Sequence, residues 1–119
     1  MNTLFLVAMV FEGVVAVGFL SLPGALLAPF GVALEPTAIP FARLFGSAVL
    51  TFPVLLWYAR TSVDTALKRI AVRALFVYFL VSTVVLAVTQ LGGLMSALGW
   101  ILVAVHVVFA IWFGAFLTK

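Results

Sequence analysis

The chain has 119 residues, of which 67% are apolar, with six Lys or Arg and three Asp or Glu. Soluble domains are about half apolar and a quarter charged, and a chain this small cannot hide so much apolar surface from water. Those numbers exclude a water-soluble enzyme, a free nucleic-acid binder and a disordered chain. The net charge of +3 rests on only six cations, not arranged as a nucleic-acid surface, which needs several facing phosphates together. The absence of cysteine removes disulfides, thiolate metal sites and cysteine nucleophiles.

A spanning helix needs about 20 mostly apolar residues, and four segments qualify. The first is residues 3–22. It lacks the basic start of a secretory signal, and Glu12 interrupts its apolar run, so it reads as a retained span. The connection 23–40 holds Pro23, Pro29, Pro36 and Pro40. It cannot be one straight helix and reads as a broken helix end plus an extended piece at the membrane interface. The second span is 41–58, with a kink expected at Pro53. Within it Ala42 and Gly46 allow a close helix approach.

A hydrophilic loop follows, running from Arg60 to Arg73. Thr61 or Ser62 is the expected helix cap there, with Asp64 in the first turn. The third span is 70–91 and the fourth 94–117. Residues 74–118 contain no Asp, Glu, Lys or Arg, which is too long for one helix. Gly92-Gly93 reads as the turn of a tight hairpin. The segments are apolar on all sides, not alternating, so helices are expected and not barrel strands. The fold class is an all-α, single-domain integral membrane four-helix bundle. Placing Arg60, Lys68, Arg69, Arg73 and Lys119 on one side and Arg43 on the other puts both termini in the cytoplasm. The expected location is the cell inner membrane, multi-pass.

Glu12 lies about 13 Å from the inner end of its helix at 1.5 Å per residue. A carboxyl at that depth costs about 3 kcal/mol on insertion scales. It is either a proton- or cation-binding site or a hydrogen-bonded structural link. His106 lies about 16 Å from its own inner end, at a matching depth. Gly99, Ala110 and Gly114 at helical spacing turn its face toward protein. Glu12 and His106 read as a structural pair or as a ligand or proton site. Imidazole is also a metal, haem or chlorin ligand, but one His and one Glu are too few for a metal site in a monomer.

Arg43, Ser47 and Thr51 form one stripe, and Tyr78, Ser82 and Thr89 another, at helical spacing. They are either packing groups or the rim and lining of a cavity. Lys68, Arg69 and Arg73 make a basic edge facing lipid headgroups. Trp57, Tyr58, Trp100 and Trp112 suit interfacial belts. No metalloprotease, phosphate-loop or hydrolase motif is present, so no enzymatic activity is expected.

The stretches Leu26-Leu27-Ala28-Pro29-Phe30-Gly31, Ala42-Arg43-Leu44-Phe45-Gly46 and Leu98-Gly99-Trp100 with His106 resemble the DoxX-like superfamily of small membrane proteins. The resemblance implies a four-helix bundle with cytoplasmic termini and no particular activity. The embedded Glu12 in the first helix also resembles the small multidrug exporters. The proline-rich first connection and basic middle loop depart from their compact loops. The expected function is that of a non-enzymatic accessory subunit, or a binder of an apolar ligand such as a lipid, quinone or pigment. The alternative is a proton-coupled exporter acting as a homodimer through Glu12. Expected partners are the bilayer and a second copy or a larger membrane complex, with no nucleic acid; the residues name no cofactor.

Overall fold

Helix α1 covers Asn2–Ser21 and stops at Leu22, whose φ of −137° and ψ of 61° leave the helical region. The cause is Pro23, since a residue before proline is pushed out of the α conformation. Pro23 then opens a short helix, α2 (Pro23–Leu27), as proline does readily at a first helical position. A 3-10 turn, Ala28–Phe30, follows and is closed by Gly31 at φ 74°. The start of the proline-rich connection is thus helical, and only 32–35 lacks regular structure before a second 3-10 turn, Pro36–Ala38. The computed structural model describes residues 1–118, and all regular structure among them is helical. Lys119, counted above among the inner cations, lies outside the described residues.

The expected second helix is two helices, α3 (Ile39–Val49) and α4 (Thr51–Thr61), which meet at Leu50. The interruption falls three residues before Pro53. That is where the missing proline N–H and the ring's crowding of the carbonyl four residues back take effect. Helix α5 covers Thr65–Leu91 and starts five residues earlier than expected. Its cap is Asp64, not Thr61 or Ser62: the Asp64 carboxylate accepts from the Ala66 N–H at 2.8 Å, and Ser62 Oγ accepts from the Asp64 N–H at 2.9 Å. Replacing a capping aspartate by alanine costs about 1 kcal/mol. Asp64→Ala is therefore expected to lower the thermal midpoint by a few degrees in detergent, read by circular dichroism.

Helix α6 covers Gly99–Gly114, 16 residues, shorter than the expected 94–117. Residues before it are held in a loop tied to the proline-rich connection. The Ser96 N–H donates to the Phe30 carbonyl at 2.7 Å and Ser96 Oγ to the Pro29 carbonyl at 3.2 Å. Gln90 Nε2 donates to the Ser96 carbonyl at 3.1 Å. Three segments are long and apolar enough to cross a membrane: Asn2–Ser21, Pro36–Thr61 and Thr65–Leu91; Gly99–Gly114 is an apolar but shorter helix.

The helices pack chiefly as two pairs, α1 against α3 and α4, and α5 against α6. In the first pair α3 lies almost on the backbone of α1. A Cβ on Gly46 would come within 2.8 Å of Phe19 Cβ and 3.0 Å of the Leu20 nitrogen. The pairs meet over a core at the end bearing residues 60–73. Leu4, Phe5 and Ala8 face Leu75, Phe79, Phe109 and Phe113 there. Stacked rings dominate this core, with Phe79 at 4.7 Å from Phe109 and 5.7 Å from Phe113.

Candidate functional site

Above that aromatic core lie the three buried polar side chains among the described residues: Glu12, His106 and Gln90. Gln90 belongs to the loop tie already described. Glu12 and His106 come from different helix pairs, and each contacts Tyr78 of α5.

Glu12 falls on the inward stripe of α1, with Leu4, Phe5, Ala8 and Ala16. Its positions relative to these are the three- and four-residue steps of one helix face. It is fully buried (0% exposed). Tyr78, from α5, donates its hydroxyl proton to Glu12 Oε2 at 3.5 Å, long for an O–H···O bond, which is usually 2.7–2.8 Å. Glu12 Oε1 has no hydrogen-bond partner. A buried unsatisfied carboxyl oxygen costs on the order of 1–3 kcal/mol, so the fold alone gains little from this acid.

His106 lies on the inward stripe of α6 with Val103, Phe109, Ala110 and Phe113. Its Nδ1 is 2.8 Å from the Leu102 carbonyl. A carbonyl only accepts, so Nδ1 carries a proton; when the ring is neutral its lone pair is therefore on Nε2. Three aromatic rings enclose the imidazole: Phe79 at 5.6 Å, Phe11 at 6.1 Å and Tyr78 at 6.4 Å between centroids. Tyr78 is therefore the link, bonded to Glu12 by its hydroxyl and in ring contact with His106. Its own ring is held between Phe52 at 4.5 Å and Phe79 at 5.1 Å. Among the described residues no hydrogen bond or ion pair joins Glu12 directly to His106.

Of the other sequence candidates only Ser82 adjoins this group. Ser82 is half-buried one turn beyond Tyr78 on α5. Arg43, Ser47 and Thr51 are exposed. The Ser47 hydroxyl bonds back to the Leu44 carbonyl at 2.7 Å and that of Thr51 to Ala48 at 2.6 Å. Ser47 and Thr51 border a shallow outward groove with Leu50 and Val54, apart from Glu12. A second open groove runs along the outer face of α1 past Gly13 and is almost purely apolar. Lys68 is half-buried and Arg69 and Arg73 are exposed at the far end of α5. No cluster of three metal-ligating side chains occurs among the described residues.

Sequence reading missed the aromatic enclosure. Phe11 and Phe79 adjoin Glu12 and Tyr78 in the chain, but phenylalanine in an apolar helix carries no signal of its own. The chain matches no protein-family model, no curated protein and no solved structure.

Proposed function

We propose that the chain is a non-enzymatic, multi-pass protein of the cytoplasmic membrane, serving as an accessory subunit or as a binder of an apolar ligand at Glu12 and His106. In this reading the segments of α1, of α3 with α4, of α5 and of α6 make four crossings, with both termini inside. Helix α6 spans only about 24 Å at 1.5 Å per residue, and the apolar residues flanking it complete the crossing. Exposed apolar rows support the membrane placement, such as Val10, Val14 and Val17 on α1 and Val77, Val81, Val84 and Val88 on α5. Such rows are compatible with lipid contact and unfavourable in water. The likeness to DoxX-like proteins is part of the same proposal.

The observation that carries the binding site is a fully buried carboxyl with an unpartnered oxygen, bonded to a tyrosine that also packs against the His106 imidazole. Intramembrane ionisable groups are expensive and are usually kept for function. The test is native mass spectrometry of the protein released from lipid nanodiscs, comparing wild type with Glu12→Gln and His106→Ala. The expected result is a co-purifying small molecule or partner chain on the wild type that both variants lose. A bare wild-type monomer would overturn the reading.

The free Glu12 oxygen also favours the alternative, a proton-coupled exporter working as a homodimer through Glu12. It requires proton release when a cationic substrate binds, abolished by Glu12→Gln. Absence of release across a broad cationic library would reject it.

A further inference from the structure

Arg69 and Arg73 stand four residues apart on α5, on one helix face. Continuing that face at steps of three and four gives Val77, Leu80, Val84, Val88 and Leu91, all exposed. The two arginines thus head the outward apolar row of the helix. Lys68 belongs to another face, in register with buried Val72 and Leu75, and is itself half-buried.

Arg73 lies 18 residues before Leu91, or about 27 Å along the axis. That is close to the thickness of a bilayer's hydrocarbon core, about 30 Å. With Leu91 at one boundary, Arg73 reaches the other, and Arg69 stands about 6 Å beyond it, at headgroup level. Among the described residues no carboxylate pairs with them. Asp64, the acid of this end, accepts the Ala66 N–H as helix cap. Glu12 is buried at mid-depth, and Glu35 lies in the proline-rich connection at the other end.

We propose that Arg69 and Arg73 form a binding site for the phosphodiester headgroup of an anionic phospholipid, whose acyl chains lie along the Val77–Leu80–Val84 row. Guanidinium suits phosphate because its planar fork donates two parallel hydrogen bonds. The adjoining row supplies the apolar contact that a soluble phosphate could not use.

This rests on the membrane placement proposed above, and the experiment separates the two. Membranes are first washed with alkaline carbonate. The protein is then reconstituted in mixed phosphatidylcholine and phosphatidylglycerol bilayers, and retained lipid is identified by mass spectrometry after detergent extraction. The expected result is selective retention of phosphatidylglycerol that weakens as salt rises. At about 1 kcal/mol per basic residue, Arg69→Gln with Arg73→Gln lowers the preference on the order of 30-fold. Lys68→Gln, which removes a single charge off the arginine face, lowers it no more than about five-fold, and Arg69→Lys with Arg73→Lys keeps part of it, because the charge remains but the fork is lost. Release of the protein by carbonate would overturn the membrane placement and this site with it. Retention in the membrane with no phosphatidylglycerol preference, or with the same preference in the double Gln variant, would overturn the site alone. So would equal displacement by soluble glycerophosphoglycerol, which would identify a phosphate site indifferent to lipid.

Discussion

Replacing Gly46 with leucine is expected to separate α3 from α1 and unfold the first helix pair at markedly lower denaturant. A Cβ there would lie 2.8 Å from Phe19 Cβ, 3.0 Å from the Leu20 nitrogen and 3.1 Å from the Ala16 carbonyl oxygen. Two of these are backbone atoms of a continuous helix, which cannot swing aside as a side-chain tip would. Overpacking of this kind costs about 1–3 kcal/mol, and leucine adds bulk beyond the first carbon. Gly46→Ala should show the lower part of that range. Unfolding by sodium dodecyl sulfate, followed by circular dichroism, measures both. Leucine at Gly13 is the control, because a Cβ there meets nothing within 4 Å. Equal stability of Gly46→Leu and Gly13→Leu would show that this close approach does not hold α1 to α3.

Glu12→Leu is expected to act in the opposite direction on stability. The acid has one long hydrogen bond and one unpartnered oxygen. In the membrane placement proposed above, leucine removes the cost of a carboxyl inside a span, about 3 kcal/mol, and gives up only a weak Tyr78 contact. Hydrogen bonds between membrane helices average about 0.6 kcal/mol. The variant should unfold at higher temperature than wild type, by about 2 kcal/mol, while losing whatever ligand or partner the wild type retains. A stability gain with a functional loss is the pattern of a site kept at the expense of the fold. If Glu12→Leu instead unfolds earlier than wild type, the carboxyl is structural glue and the binding-site proposal fails.

Much of the local architecture was legible in the residues. Long apolar runs interrupted by Pro23 and the Gly92-Gly93 turn correspond closely to α1 and α5, because helix ends respond to proline and glycine locally. That Glu12 and His106 sit well inside their helices follows from counting residues, and the structure buries both. The boundaries that failed depended on distant partners. Helix α6 starts late because Ser96 is bound to the carbonyls of Pro29 and Phe30, some 66 residues earlier in the chain. The division of the second segment at Leu50 shows proline acting a turn before its own position.

Composition and periodicity alone determined that the described chain is helical, that Glu12 and His106 sit well inside their helices, and that four of the six cations fall within residues 60–73. These properties depend on each residue and its neighbours within a turn. Only the tertiary structure decided that Tyr78 stands between Glu12 and His106, that one Glu12 oxygen has no partner, and that Ser47 and Thr51 turn away. Each of those outcomes depends on how helices rotate about their axes when they pack. In segments apolar on every side, no hydrophobic stripe tells the helix which face to turn inward; interlocking of side chains such as Phe79 and Phe109, and the bare surface of Gly46, sets that rotation instead.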